Sequence, residues 1–271
     1  MSDIEKLKKI IRSYDPSSGF NQPWEDKLVD ELYLSRYSDI GPLAKEILET
    51  IGKNDSQWHQ GGTGPTTRTD LMDWSGKTFM ELFTREILPE KLQVLKKENE
   101  GQDLVQAAEC WIEACGPVEN LYSDRLKKEA PECKADMEAM GCKLDGYSYL
   151  NCRLLLSYYH WIHSPCNGTL KRIVPFPKEY NFFGENSLWL LEFETKTDPV
   201  YMLLVGELNI QDFIFHCKEG QKMETMDKVG HFGWGSQIMV FFKVPEGSEI
   251  SCETSIEHYF IGDSFIKKGL T

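Results

Sequence analysis

The stretch Gly230-His231-Phe232-Gly233-Trp234-Gly235-Ser236 sets a serine at the end of a glycine-punctuated bend, ahead of the run Gln237 to Phe242. Glycines on either side of a tryptophan let the backbone turn sharply and approach other groups closely. At such a bend the Ser236 hydroxyl and the Gly235 carbonyl are both accessible, a nucleophile beside an electrophile. A nucleophilic serine needs a base, and Tyr159-His160-Trp161-Ile162-His163-Ser164-Pro165 carries two imidazoles three residues apart. Metal binding is the weaker use of that pair. No Glu stands between them in the His-Glu-x-x-His manner, and Pro165 interrupts a helix. Taken singly, the bend reads as a turn between strands and the histidines as hydrogen-bonded core residues.

Together the two stretches resemble the phosphatidylserine decarboxylase family. Its signature is Tyr-His-x-x-His-x-Pro-x-x-Gly, followed later by Gly-Ser-Thr or Gly-Ser-Ser. The first half is complete from Tyr159 to Gly168, and the second reads Gly235-Ser236-Gln237. A third stretch, 75–90, lies in the correct order and is similar to the family's Phe-x-x-Phe-Phe-x-Arg-x-Leu-x-Pro segment. By pattern it is an amphipathic helix with Phe79, Leu82 and Phe83 on one face, stopped by Pro89. The resemblance covers residues 75–271, with Trp161 where the family commonly has Arg.

The resemblance implies a chain that cuts itself between Gly235 and Ser236 and converts Ser236 into a covalent pyruvoyl cofactor. Ser236 would attack the Gly235 carbonyl, giving an ester; elimination and loss of ammonia would then leave the pyruvoyl group. His160 is the expected base. Glu119, at the place of the aspartate in the family's Pro-x-Asp-Gly turn, is expected to orient it, with Asn120 replacing the glycine. His163 is expected to serve decarboxylation by protonating the carbanion. The implied substrate is an amine-bearing carboxylate, phosphatidylserine by default, which would become phosphatidylethanolamine. A free aromatic amino acid such as tryptophan is one alternative, and an unprocessed homologue acting as a binding protein is the other. A homodimer of processed protomers suits the family.

Composition narrows the partners. A formal charge of −13 over 271 residues argues against nucleic acid, because phosphate binding needs clustered Lys and Arg. It also disfavours electrostatic adhesion to an anionic membrane, leaving peripheral contact through a local apolar patch. No apolar run is long enough to span a bilayer, and Met1 to Tyr14 is charged and helix-like rather than a secretory signal. An intracellular protein, soluble or peripheral to a membrane, is the expectation. Eight cysteines in a chain this long without a secretory signal are expected to be reduced thiols, and with no Cys-x-x-Cys pair among them no zinc site is expected.

The expected fold class is α+β. Residues 1–74 read as a helical extension: Ile4, Leu7, Ile10 and Ile11 form a helical stripe, and 28–33 and 40–51 look similar. The glycine-rich 61–67 lacks the Gly-Lys-Ser/Thr ending of a phosphate loop and reads as a linker. Residues 75–271 form the expected catalytic domain, with a charged helix over 123–140. The strands are expected at 188–193, 200–205, 206–210, 213–217 and onward. Closely spaced strands with glycine turns predict a sandwich or barrel-like arrangement.

Overall fold

The computed structural model describes residues 2–15, 17, 21–41, 43–58, 69–120, 130–155, 157–175, 188–206, 213–233, 236–251 and 258–268. The 61–67 linker, residues 207–210 of the strand expected at 206–210, and Gly235 of the expected cleavage site lie outside the described residues. The chain divides into two compact units, Met1–Gln93 with Leu155–His160, and Val94–Leu154 with Trp161–Thr271. The first unit thus runs past residue 74 and takes in a short segment that ends at His160.

The first unit is helical. Its elements are α1 (Asp3–Ile11), α2 (Gln22–Ser35), α3 (Leu43–Trp58) and α4 (Phe79–Phe83), followed by α5 (Pro89–Glu98), which the division at Gln93 crosses. The stripe on α1 is buried as Leu7, Ile10 and Ile11, and α1 packs on α2 and α3. Side chains close the exposed helix starts, where backbone N–H groups lack partners. Ser2 accepts from the Glu5 N–H, and Asn21 accepts from the Trp24 N–H. The Trp24 indole N–H donates to the Ile10 carbonyl at 2.9 Å. The helix expected across 75–90 is only the five residues of α4, opened by a capping box between Thr78 and Glu81. Pro89 starts α5 rather than stopping a helix, because its fixed φ and missing N–H suit a first helical position.

The second unit is built on antiparallel strands: β1 (Cys110–Pro117), β2 (Ser148–Leu154), β3 (Trp161–His163), β4 (Gly168–Pro175), β5 (Leu188–Glu194), β6 (Val200–Gly206), β7 (Phe213–Phe215), β8 (Gln221–Met223), β9 (Lys228–Phe232), β10 (Ser236–Phe242), β11 (Ser248–Ile250), β12 (His258–Tyr259) and β13 (Ile266–Lys268). One helix, α6 (Ala130–Ala139), lies between β1 and β2 in the chain. Eight strands form one sheet in the order β12-β1-β2-β10-β6-β5-β4-β8, beside a three-stranded sheet β3-β9-β7 and the pair β11-β13. The fold is α+β as expected, and the main sheet is open rather than closed into a barrel.

Alternation along the strands divides the core between the two faces of the large sheet. One cluster holds Cys110, Ile112, Leu150, Cys152, Ile238 and Val240. The other holds Ala114, Tyr149, Tyr201, Leu203, Met239 and Phe241 with Met137 of α6. Among the described cysteines, Cys110, Cys142, Cys152, Cys166 and Cys217 are not disulfide-bonded. Burial pushes the Cys110 thiol well up and raises Cys166 to about 12, so both stay protonated and unreactive. Among the described residues no helix is long and apolar enough to cross a membrane.

Candidate active site

Ser236 is the first residue of β10, an interior strand of the large sheet. Its backbone pairs with Leu154 of β2 on one side and with Gly206 of β6 on the other. Gly206 brings no side chain to the β6 side of residue 236. The pairing continues to Phe242 on β2 and to Phe241 on β6, so the strand that follows the expected cut is held along both edges.

His163 ends β3 and is fully buried. Its backbone N–H donates to the Ala107 carbonyl at 2.8 Å, which ties it to the segment entering β1. Its Nδ1 lies 2.7 Å from the Met226 carbonyl. A carbonyl only accepts, so Nδ1 carries the proton and Nε2 keeps the lone pair. Burial lowers the His163 pKa to about 4; the Met226 bond opposes that shift, and nearby Lys228 and Lys96 add to it. The ring is therefore neutral at pH 7, a proton acceptor rather than a donor. Met226 itself has a φ of 68°, the left-handed region that few non-glycine residues adopt. It is held there by its N–H bond to the Ser164 carbonyl and by full burial. The adjoining Asp227 pairs with Lys96.

Glu109 was not singled out in the sequence, and the structure draws it to the Ser236 end of the sheet. It is fully buried directly before β1. Trp111 of β1 pairs with Arg153 of β2, and the next β2 residue, Leu154, pairs with Ser236. Two strand spacings of ~4.8 Å separate β1 from β10. The Glu109 Oε1 accepts from His258 Nε2 at 2.9 Å, an ion pair when the imidazole is protonated. The signal that marks it in the sequence is a carboxylate inside the apolar run Ala107 to Ile112, where a solvated Glu would not stand.

Glu119 lies at the other end. It sits exposed in the 3-10 turn Val118–Asn120 after β1. The last residue of β1, Pro117, pairs with Ser148, and Ser148 pairs with Phe242, six positions beyond Ser236. At ~3.3 Å per residue that is about 20 Å along the sheet, so the structure does not bring Glu119 to Ser236. Its expected part is to orient His160; β1 runs away from the Ser236 end before the Glu119 turn is reached.

His160 belongs to the helical unit and is fully buried. Its Nδ1 lies 2.8 Å from the carbonyl of Tyr158, so Nδ1 is the donor and the position expected for a carboxylate is taken by main chain. The ring stacks on Phe83 with centroids 3.8 Å apart and an angle of 28° between planes. Arg85, two residues further on, donates to the Leu82 carbonyl at 3.0 Å and to the Ser157 carbonyl at 2.9 Å. The third family-like stretch thus has a task visible within its own unit: Phe83 and Arg85 hold the segment that carries His160.

A family model described as phosphatidylserine decarboxylase matches residues 79–266. The chain belongs to the phosphatidylserine decarboxylase family. It is 26% identical over 145 residues to the phosphatidylserine decarboxylase proenzyme of Shewanella frigidimarina, covering 48% of this chain and 49% of that protein. It is 32% identical over 195 residues to the phosphatidylserine decarboxylase proenzyme 2 of Komagataella phaffii, covering 61% of this chain and 18% of that protein. With the proenzyme of Idiomarina loihiensis the identity is 24% over 211 residues, 61% of this chain and 68% of the relative. The chain therefore spans about half the length of the first of these relatives and under a fifth of the second.

Proposed function

We propose that this chain is a proenzyme that cuts itself between Gly235 and Ser236 and then acts as a pyruvoyl-dependent carboxy-lyase on phosphatidylserine, yielding phosphatidylethanolamine. The observation that carries the reading is the position of Ser236. It opens an interior strand at the same end of the sheet as buried Glu109, in the unit that also contains neutral His163. The names of the relatives supply the substrate. A homodimer of cut protomers and peripheral membrane contact belong to the same reading.

In this account His163 Nε2 takes the Ser236 hydroxyl proton as the oxygen adds to the Gly235 carbonyl. The Gly235–Ser236 C–N bond breaks, the nitrogen takes up the proton, and an ester joins Gly235 to the residue 236 oxygen. Loss of the residue 236 α-proton expels the Gly235 carboxylate, and water then releases ammonia and leaves the ketone. Glu109 supplies a buried carboxylate at the Ser236 end of the sheet. This assignment departs from the one the resemblance implies, which gave cutting to His160 and Glu119. His163 shares a unit with Ser236 and is unprotonated at neutral pH, whereas Glu119 sits at the far end of the sheet.

A pyruvoyl group fits at residue 236, since it is no larger than the serine it replaces and faces Gly206 across the ladder. When present, its ketone condenses with a substrate amine and accepts the electron pair released with carbon dioxide. The substrate carbon then takes a proton from water in place of the lost carboxylate.

The test is carbon dioxide release from phosphatidylserine in detergent and, separately, from free serine, tryptophan, tyrosine and phenylalanine. Wild type is expected to act on the lipid and Ser236→Ala on nothing. Turnover of free amino acids alone would replace the lipid assignment. A wild-type chain that is folded, uncut and inert on all of them would leave a binding protein.

A further inference from the structure

From residue 237 to residue 242, β10 reads Gln-Ile-Met-Val-Phe-Phe. Ile238, Val240 and Phe242 enter one apolar cluster, while Met239 and Phe241 enter the other. A strand that is apolar on both faces has little to define its register, because a slip of one residue exchanges one buried apolar set for another. In the proposed reaction a slip of one residue would carry the scissile bond some 3.3 Å out of place. Something must fix the start of this strand, and within residues 237–242 Gln237 is the single polar side chain.

Its partners form a chain of hydrogen bonds across three strands. The Gln237 Nε2 donates to the Oδ1 of Asn151 on β2 and, at 3.4 Å, to the Glu113 carboxylate on β1. The Asn151 Nδ2 donates to the same Glu113 oxygen at 3.2 Å. Arg153, the register partner of Gln237, lies 3.7 Å from the other Glu113 oxygen. Glu113 reaches this place through an irregularity in β1: Ile112 pairs with Cys152 and Ala114 with Asn151, so Glu113 is the extra residue. Bulges of this kind re-aim a side chain. Asn151 is fully buried, and Glu113 and Arg153 are mostly so. At low effective dielectric such a chain is firm when satisfied and costly when broken. A slip of β10 would put the Gln237 amide on the face of Ile112, Cys152 and Ile238, where it would lose these partners.

We infer that Gln237, with Asn151 and Glu113, is a positioning residue that pins β10 in the one register presenting the Gly235–Ser236 bond for cutting, and holds the new chain start in the sheet afterwards. The inference rests on the proposed self-cleavage, but its test has an arm that does not. In the uncut Ser236→Ala chain, Gln237→Leu is expected to speed backbone hydrogen exchange at residues 237–239 at least tenfold, with 240–242 little changed. In the cutting chain, Gln237→Leu and Asn151→Leu are each expected to slow cleavage about tenfold or more, the scale of losing hydrogen bonds to a buried charge. The double substitution Glu113→Gln with Gln237→Glu reverses the direction of the chain once the Asn151 amide turns over. It is expected to restore cutting to within about threefold of wild type, whereas either single substitution stays slow.

Failure of wild type to cut would sink the proposed function while leaving the exchange arm to decide this inference. Unchanged exchange at 237–239, or cutting at the wild-type rate in Gln237→Leu, would overturn it. If Gln237→Leu does not fold, Gln237→Met and the reciprocal pair carry the same comparison, and a reciprocal pair no better than its singles also overturns it.

Discussion

His160 and His163 stand three residues apart in the chain, yet different regions hold them, one in the helical unit and one in the strand-built unit. Both have Nδ1 committed to a main-chain carbonyl and so share a tautomer. For His160 that carbonyl belongs to Tyr158, two residues back, and the ring rests on Phe83. For His163 the carbonyl belongs to Met226, 63 residues on, and the backbone is tied to Ala107. The first tautomer is set by a short turn, the second only when distant segments of the strand unit have assembled. The same residue type at neighbouring positions is thus held by different means, and the difference can be measured.

The largest expected effect concerns cutting. His163→Ala should slow appearance of the two fragments by about a thousandfold, within the range of losing a general base, while His160→Ala still cuts within about threefold of wild type. Time-resolved denaturing electrophoresis reads both. The opposite pattern would return the cutting role to His160.

Acid should act on the folded chain through His163. His163 titrates near 6.5 when unfolded and at about 4 in the folded chain. Between those values the unfolded chain holds a proton that the native chain does not, so stability is complete above pH 6.5 and declines as pH falls to 4. At 1.36 kcal/mol per unit the loss approaches about 3 kcal/mol. Urea unfolding of the uncut Ser236→Ala chain at pH 7 and pH 4 measures it. His163→Gln in that background should flatten the slope by about that amount; an equal slope in both would show that His163 is not held neutral.

The carboxylates offer a sharper contrast at smaller cost. Glu109→Gln should slow cutting by about ten- to a hundredfold, as the loss of a buried carboxylate at the Ser236 end of the sheet would, and Glu119→Gln should leave it within about twofold. Equal effects would erase the distinction between the two ends of the sheet. Smallest is Phe83→Leu, which removes a ring stack valued at ~1 kcal/mol. Urea stability of the uncut Ser236→Ala chain should fall by about that much, while electrophoresis shows cutting unchanged.

Much of this was legible in the chain. The stripe of Leu7, Ile10 and Ile11 marks α1, and the strands at 188–194 and 200–206 appear within a residue or so of their expected limits. Ser236 and both histidines are conspicuous because their neighbours are unusual in sequence. What stayed hidden is what depends on pairing between distant strands. Glu119 follows a Gly-Pro turn and draws the eye, whereas Glu109 is set among apolar residues and becomes a site candidate only when β1 is laid against β2 and β2 against β10. Gln237 likewise reads as a departure from the family's hydroxyl residue until Asn151 and Glu113 are found beside it. Pro89 misleads for a local reason, since a proline can end one helix or begin the next, and only the hydrogen bonds of the following turn decide.

The central claim is that the chain becomes two at Ser236, and intact mass of the folded, purified protein tests it most directly. The account predicts two species whose masses match residues 1–235 and residues 236–271, the second carrying a ketone in place of the serine amine and hydroxyl and therefore resisting N-terminal sequencing. A single species at the full-length mass, from protein shown to be folded, would contradict it.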